Sequence, residues 1–274
     1  MTHPTEPLII EPEALEKRLG EKNLLVVDMS SKAHYLQHHI PGAVWLECSS
    51  ILANRRPVMG LLPSNLQLGE VLSDIGMTEE SWVVACDDEG GGKASRLLWT
   101  LDVLGHERFS LLDGGMRAWL AEDRPISDEP VTPKPGDYTA RRGDEPIIDK
   151  AQLLQCLGDP MVALVDARSP AEFRGDDVRA ARGGHIPGAV NLEWTRLMDP
   201  ERNMRLKPEP ELRKMFESLG VTPDKTVIVY CQTHHRSSLT YLVLKALGYP
   251  SVKGYAGAWS EWGNDPDTPV ETDQ

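Results

Sequence analysis

Cysteine is scarce in this chain: there are four in 274 residues. They stand at 48, 86, 156 and 231, form no CxxC pair and show no short metal-ligand spacing. That spacing excludes a zinc module and leaves each thiol, by default, a reduced and buried small hydrophobe. No metal and no organic cofactor is expected. Long apolar runs are also missing, so no segment is read as a membrane span. The opening MTHPTEPLIIEPEAL has no basic stretch followed by an apolar one, which reads as no secretory leader and makes the cytoplasm the expected compartment. A surplus of positive charge is lacking too: 29 Lys and Arg stand against 42 Asp and Glu, a net charge of −13. Nucleic acid is therefore not an expected partner, because such binding rests on basic patches that neutralise phosphates.

What is present is ordinary globular material, 40% hydrophobic and 26% charged, at a length that suggests two domains. An internal repeat sets the architecture. LLVVDMSSKAHYLQHHIPGAVWLE (24–47) recurs as VALVDARSPAEF…GGHIPGAVNLEW (162–194). SWVVACDDEGGGKASRLLWTLDVLGH (81–106) answers to KTVIVYCQTHHRSSLTYLVLKALGY (225–249), and LLDGGMRAWLAED (111–123) to VKGYAGAWSEWGN (252–264). Within each half, wholly apolar β-branched runs alternate with helical patterns, such as Leu239, Leu242, Val243, Ala246 and Leu247 on one helix face. That alternation predicts an α/β fold, with a parallel sheet flanked by helices on both faces in each half. SDEPVTPKPGDYTARRGDEP (127–146) is rich in proline, glycine and charge and reads as a linker. The expected domains are residues 1–126 and 147–274.

Cys231 is the first polar residue after the run VIVY, and in open α/β sheets ligands bind beyond the carboxyl ends of the strands. The following helix offers unpaired N–H groups and the positive end of its dipole, which favour a thiolate and form a nest for an anion. Arg236 closes the loop with a planar fork suited to paired oxygens, and His234 and His235 add donors that become cationic below neutral pH. Together these suit a nucleophilic thiolate acting on a bound anion. The first half carries Asp87 at the corresponding place, and Cys86 matches Tyr230 inside the strand. The local residues also admit a merely buried cysteine with solvated histidines, or a metal site of Cys231, His234 and His235. The latter lacks a visible fourth ligand.

On these motifs the chain resembles the tandem-domain rhodaneses, the thiosulfate:cyanide sulfurtransferases, over essentially its whole length. YLQHHIPGAVWL (35–46) is similar to the family's first signature and VKGYAGAWSEW (252–262) to its second, while CQTHHR (231–236) looks like the catalytic loop of a bacterial branch. The resemblance implies two rhodanese-like domains, a Cys231 persulfide and a catalytically inert first domain. It makes Gln232, Thr233, His234, His235 and Arg236 the substrate-facing loop. Related enzymes place a substrate-binding arginine near the position of Glu172, so Arg174, two residues on, is the further substrate contact expected here. The HIPGA turn and Trp259 and Trp262 read as structural.

The expected reaction is double displacement. The Cys231 thiolate takes the sulfane sulfur of thiosulfate and releases sulfite, and cyanide, a thiol or a sulfur-accepting protein then takes it away. Three alternatives accompany this reading. One is a cysteine phosphatase, a group that resembles rhodaneses but has a loop one residue longer than the six from Cys231 to Arg236. The second is a 3-mercaptopyruvate sulfurtransferase, and the third a non-catalytic binding module.

Overall fold

Short apolar runs build a five-stranded parallel sheet in each half of the chain. The computed structural model describes residues 6–272. Across the first sheet the strands are Ile9–Ile10, Phe109–Leu112, Trp82–Cys86, Leu24–Asp28 and Val44–Trp45. Across the second they are Ile147–Ile148, Val252–Tyr255, Thr226–Tyr230, Val162–Asp166 and Ala189–Asn191. Every neighbouring pair is parallel. The spatial order is the same in both sheets, and so is the central register. Asp28 lies opposite Cys86 as Asp166 lies opposite Tyr230. The sequence repeat is therefore a structural repeat, and the expected α/β fold with one parallel sheet in each half is what forms.

The strands are apolar throughout because both faces of each sheet are covered. In Trp82–Cys86, Val84 and Cys86 join Ile10, Leu15 and Trp119 in one core cluster. The alternate residues Val83 and Ala85 face the other way, toward the helix Gly92–Val103. In Thr226–Tyr230, Ile228 and Tyr230 pack with Phe173, Trp259 and Trp262, and the helix Arg236–Ala246 lies against the strand. Trp262 is buried and donates its indole N–H to the Pro269 carbonyl at 2.7 Å. Truncating such a side chain costs about 3–5 kcal/mol.

The HIPGA segment is a turn in both copies. The Ala43 N–H bonds the Ile40 carbonyl and the Ala189 N–H the Ile186 carbonyl, and Gly42 and Gly188 take the left-handed conformation, at φ 80° and 76°. Its histidine stacks on the preceding aromatic in each case, Tyr35 on His39 and Phe173 on His185. The first copy spans from aromatic to histidine with residues 36–38, whereas the second inserts the longer 174–184.

The chain divides into two units. The first comprises the residues up to Leu52, Pro63–Gly143 and Met198–Leu206; the second comprises Ala53–Leu62, Asp144–Leu197 and the chain from Lys207 on. Each unit thus includes one short antiparallel pair contributed by the other half of the sequence. Ala53–Arg55 with Val58–Leu61 belongs to the second unit, and Met198–Asp199 with Arg205–Leu206 to the first. The proline-rich stretch after residue 126 lies along the first unit as far as Gly143. There the Gly136 N–H bonds the Ser73 carbonyl and the Gly143 N–H the Val103 carbonyl, both at 2.7 Å. Among the described residues no helix is long and apolar enough to cross a membrane.

Candidate active site

The central strand of the second sheet, Thr226–Tyr230, delivers Cys231 to its carboxyl end, and the helix Arg236–Ala246 begins five residues later. The loop between them is held by its carbonyls: Cys231 O accepts the Trp259 N–H and Gln232 O accepts the Ser260 N–H, each at 2.9 Å. The second signature segment therefore positions the loop rather than contributing chemistry. The hairpin Ala53–Leu62 lies on the same loop. A Cβ on Gly60, at φ +79°, would come within 2.4 Å of the Thr233 carbonyl oxygen, so only glycine fits there. Ser260 fixes the hairpin by accepting the Met59 N–H and donating to the Met59 carbonyl, at 3.0 and 2.9 Å.

Cys231 is buried. Burial pushes its thiol up. The Arg236 charge, the Ser237 hydroxyl and the Ser237 and Thr233 amides outweigh that, and the thiol is held below its ordinary value. Cys86 is also buried, but the carboxylates of Asp28, Asp87 and Asp88 add to burial and its thiol lies well above the ordinary range. Burial likewise raises Cys156.

Arg236 presents its fork to Glu172, with Nη1 on Oε2 at 2.6 Å and Nη2 on Oε1 at 2.8 Å. The fork read from sequence as a sulfonate holder is thus engaged by a carboxylate 64 residues away, and the guanidinium reaches Cys231 through its charge. Glu172 is in turn set by a capping box with Ser169 at the start of the helix Pro170–Arg174. Burial raises its carboxyl, but the Arg236 pair and the Ser169 N–H prevail and bring it down to about 2.

The remaining expected contacts separate. His234 is buried, with its Nδ1 2.8 Å from the Ser237 hydroxyl, so it faces the interior of the loop. Gln232, Thr233 and His235 are half-buried in the loop. Arg174 is nearly half exposed and bonds Asp176 on the surface at 3.0 Å. Arg179 touches the loop: its carbonyl accepts the Gln232 side-chain N–H at 3.1 Å, and its Nε lies 3.7 Å from Glu172. Its guanidinium is half exposed and also pairs with Asp177 at 2.8 Å. The sequence signal for Arg179 was the insertion 174–184, which separates the aromatic from HIPGA only in the second copy.

In the first unit the matching loop is closed by its own side chain. Asp87 Oδ1 accepts the Glu89, Gly90 and Gly91 N–H groups at 3.0, 3.1 and 2.8 Å, and Oδ2 accepts that of Ala94 at 2.9 Å. A fixed carboxylate fills the anion nest. The neighbouring strand differs as well. Asp166 is paired with the buried Arg168, whereas the corresponding Asp28 has Ser30 two residues on and an Oδ2 with no hydrogen-bond partner. Burial raises the Asp28 carboxyl accordingly.

Two copies of one sheet, each with a nest-forming loop at the same strand end, match the rhodanese-like domain family at residues 11–122 and 149–265. The chain belongs to the rhodanese family. A protein named thiosulfate sulfurtransferase from Azotobacter vinelandii is 51% identical to this rhodanese over 265 residues, with 97% of each chain covered. One of the same name from Pseudomonas aeruginosa is 48% identical, again over 97% of each. Among solved structures, SseA from Escherichia coli, described as a 3-mercaptopyruvate sulfotransferase, superposes with a TM-score of 0.83 at 26% identity, covering 93% of this chain and 99% of that one.

Proposed function

We propose that this rhodanese is a thiosulfate sulfurtransferase whose second unit works by double displacement through a Cys231 persulfide, and that its first unit is catalytically inert. The observation that carries the reading is the placing of Cys231 at the carboxyl end of the central strand with its thiol held low, while Cys86 and Cys156 are held high. The names of the two relatives near 50% identity support the donor. The loop CQTHHR supports a place in the bacterial branch of the family.

In the first step the Cys231 thiolate attacks the outer sulfur of thiosulfate. The sulfur–sulfur bond of the donor breaks, sulfite leaves with the bonding pair, and the enzyme holds an anionic persulfide. The loop amides and the Arg236 charge stabilise that anion. In the second step cyanide or a thiolate attacks the terminal sulfur and regenerates the Cys231 thiolate. Arg179 and Gln232, at the open side of the loop, are the groups suited to the sulfonate oxygens, with Thr233 and His235 beside them. The chemistry needs Cys231 reduced, which fits the cytoplasm, and a sulfur-accepting protein thiol is a fitting acceptor. Asp87 cannot form a persulfide and already occupies its own nest, which supports an inert first unit.

A second donor, 3-mercaptopyruvate, is favoured by the likeness to SseA. Thiosulfate carries the denser charge, and a cationic loop favours it. Steady-state thiocyanate formation with each donor tests this. The proposal expects ping-pong kinetics and the higher kcat/KM for thiosulfate, with the preference shrinking as salt rises. Faster transfer from mercaptopyruvate would reverse the donor assignment.

A further inference from the structure

A fully buried histidine in the middle of a catalytic loop needs an explanation. His234 sits at φ +54°, the left-handed region that most residues avoid, and this turn points its ring inward instead of toward substrate. Its Nδ1 is 2.8 Å from Ser237 Oγ, and its own carbonyl accepts the Ser238 hydroxyl at 2.6 Å. Ser237 is buried in the first turn of the following helix, where its hydroxyl and its amide lower the Cys231 thiol. A serine hydroxyl has one proton. If that proton is directed at a thiolate, which only accepts, Ser237 Oγ must itself accept from the imidazole, and the ring carries its hydrogen on Nδ1. The first copy has none of these parts: Asp87, Gly90 and Lys93 stand where the second has Cys231, His234 and Ser237.

We propose that His234 is a positioning residue that fixes the Ser237 hydroxyl as a donor to Cys231, in a chain from Nδ1–H to Oγ–H to the sulfur. The inference rests on Cys231 being the sulfur-carrying thiolate. A donor held by a second donor is polarised and has one rotamer, so it stabilises the anion more than a free hydroxyl does. The charge acting on the sulfur is that of Arg236, which Glu172 holds with Arg179 beside it, and His235 is the other titratable residue of the loop. None is altered in the variants below, so a change in thiol titration reports on the chain itself.

The test is the pH dependence of iodoacetamide alkylation at Cys231, read by peptide mass spectrometry. Ser237→Ala is expected to raise the midpoint by about one to two pH units, the scale of a hydrogen bond to a charged group. His234→Ala is expected to raise it by less, and in the Ser237→Ala background to add nothing, because it acts through that hydroxyl. His234→Asn supplies an amide N–H at the position of Nδ1 and tolerates the left-handed backbone, so it should restore most of the shift. Equal additive shifts, or an unchanged midpoint with only reduced thermal stability in His234→Ala, would overturn the relay while wild-type sulfur loading persists. If wild-type Cys231 titrates as an ordinary thiol and takes no sulfur from thiosulfate, the sulfurtransferase reading itself fails and the relay fails with it.

Discussion

Arg236 and Glu172 meet in a two-point ion pair, 2.6 and 2.8 Å long, with the Glu172 side chain only 1% exposed. The pair aims a fixed positive charge at the Cys231 sulfur without leaving the fork free for substrate. The cation acts on the Cys231 thiol, and the carboxylate keeps the cation in place.

Glu172 therefore makes acid stability depend on this pair. Its folded carboxyl is held at about 2 against an ordinary 4.5, so its contribution is complete above the unfolded value and is lost as pH falls toward the folded one. At neutral pH this amounts to about 3 kcal/mol, from 1.36 kcal/mol per unit. Glu172→Gln should lower stability by that order at pH 7 and flatten the stability profile between about pH 4.5 and 2, followed by urea unfolding at several pH values.

Removing the cation should cost more than substrate affinity. Arg236→Ala leaves Glu172 uncompensated in its buried place and withdraws the charge from Cys231, so the thiol titrates higher. The fold should lose about 3 kcal/mol, and kcat/KM for thiosulfate should fall by about two orders of magnitude. Arg236→Lys keeps a charge but cannot bond both Glu172 oxygens, and should recover only part of each loss. A variant with normal stability and an unchanged thiol would contradict the role given to the pair.

Arg179 should separate binding from activation. Its side chain is half exposed, so Arg179→Ala should change stability by less than about 0.5 kcal/mol. If it holds the sulfonate, KM for thiosulfate rises about tenfold while the Cys231 midpoint stays where it is. Steady-state kinetics and thiol titration on the same preparation check both; an unchanged KM would remove it from the site.

Much of this was legible in the chain because the repeat appears twice. LLVVD and VALVD, each followed by HIPGA, define the strand beside the central one in each sheet, and Cys231 against Asp87 marks the unit that differs. Contacts between distant residues left no local trace. Nothing near CQTHHR indicates that Glu172 will take the Arg236 fork, since periodicity reports which face is buried and not what it meets. ANRRPVMGLLP has no apolar period that would assign it to the second unit, and Gly60 is explained only by the Thr233 carbonyl beside it. His234 reads in the sequence as a substrate-facing donor, because the left-handed backbone that turns it inward is not written in residue type.

The first unit offers a control on the loop. Placing a thiol at its strand end by Asp87→Cys, in a Cys231→Ser background, should give no sulfur loading. Gly90, Gly92 and Lys93 stand there in place of His234, Arg236 and Ser237, and Asp28 and Asp88 oppose a thiolate. Sulfur found on the new cysteine by intact mass would mean that position alone, and not the surrounding charges, creates the nucleophile.

The central claim is that Cys231 alone carries the transferred sulfur. Intact mass of the purified protein after thiosulfate should rise by one sulfur atom, mapped to Cys231, and return to its starting value after cyanide. Cys231→Ser should show neither change, whereas Cys48→Ser, Cys86→Ser and Cys156→Ser should behave as the unaltered protein does. A mass gain that survives Cys231→Ser, or sulfur mapped to Cys86, would contradict the account.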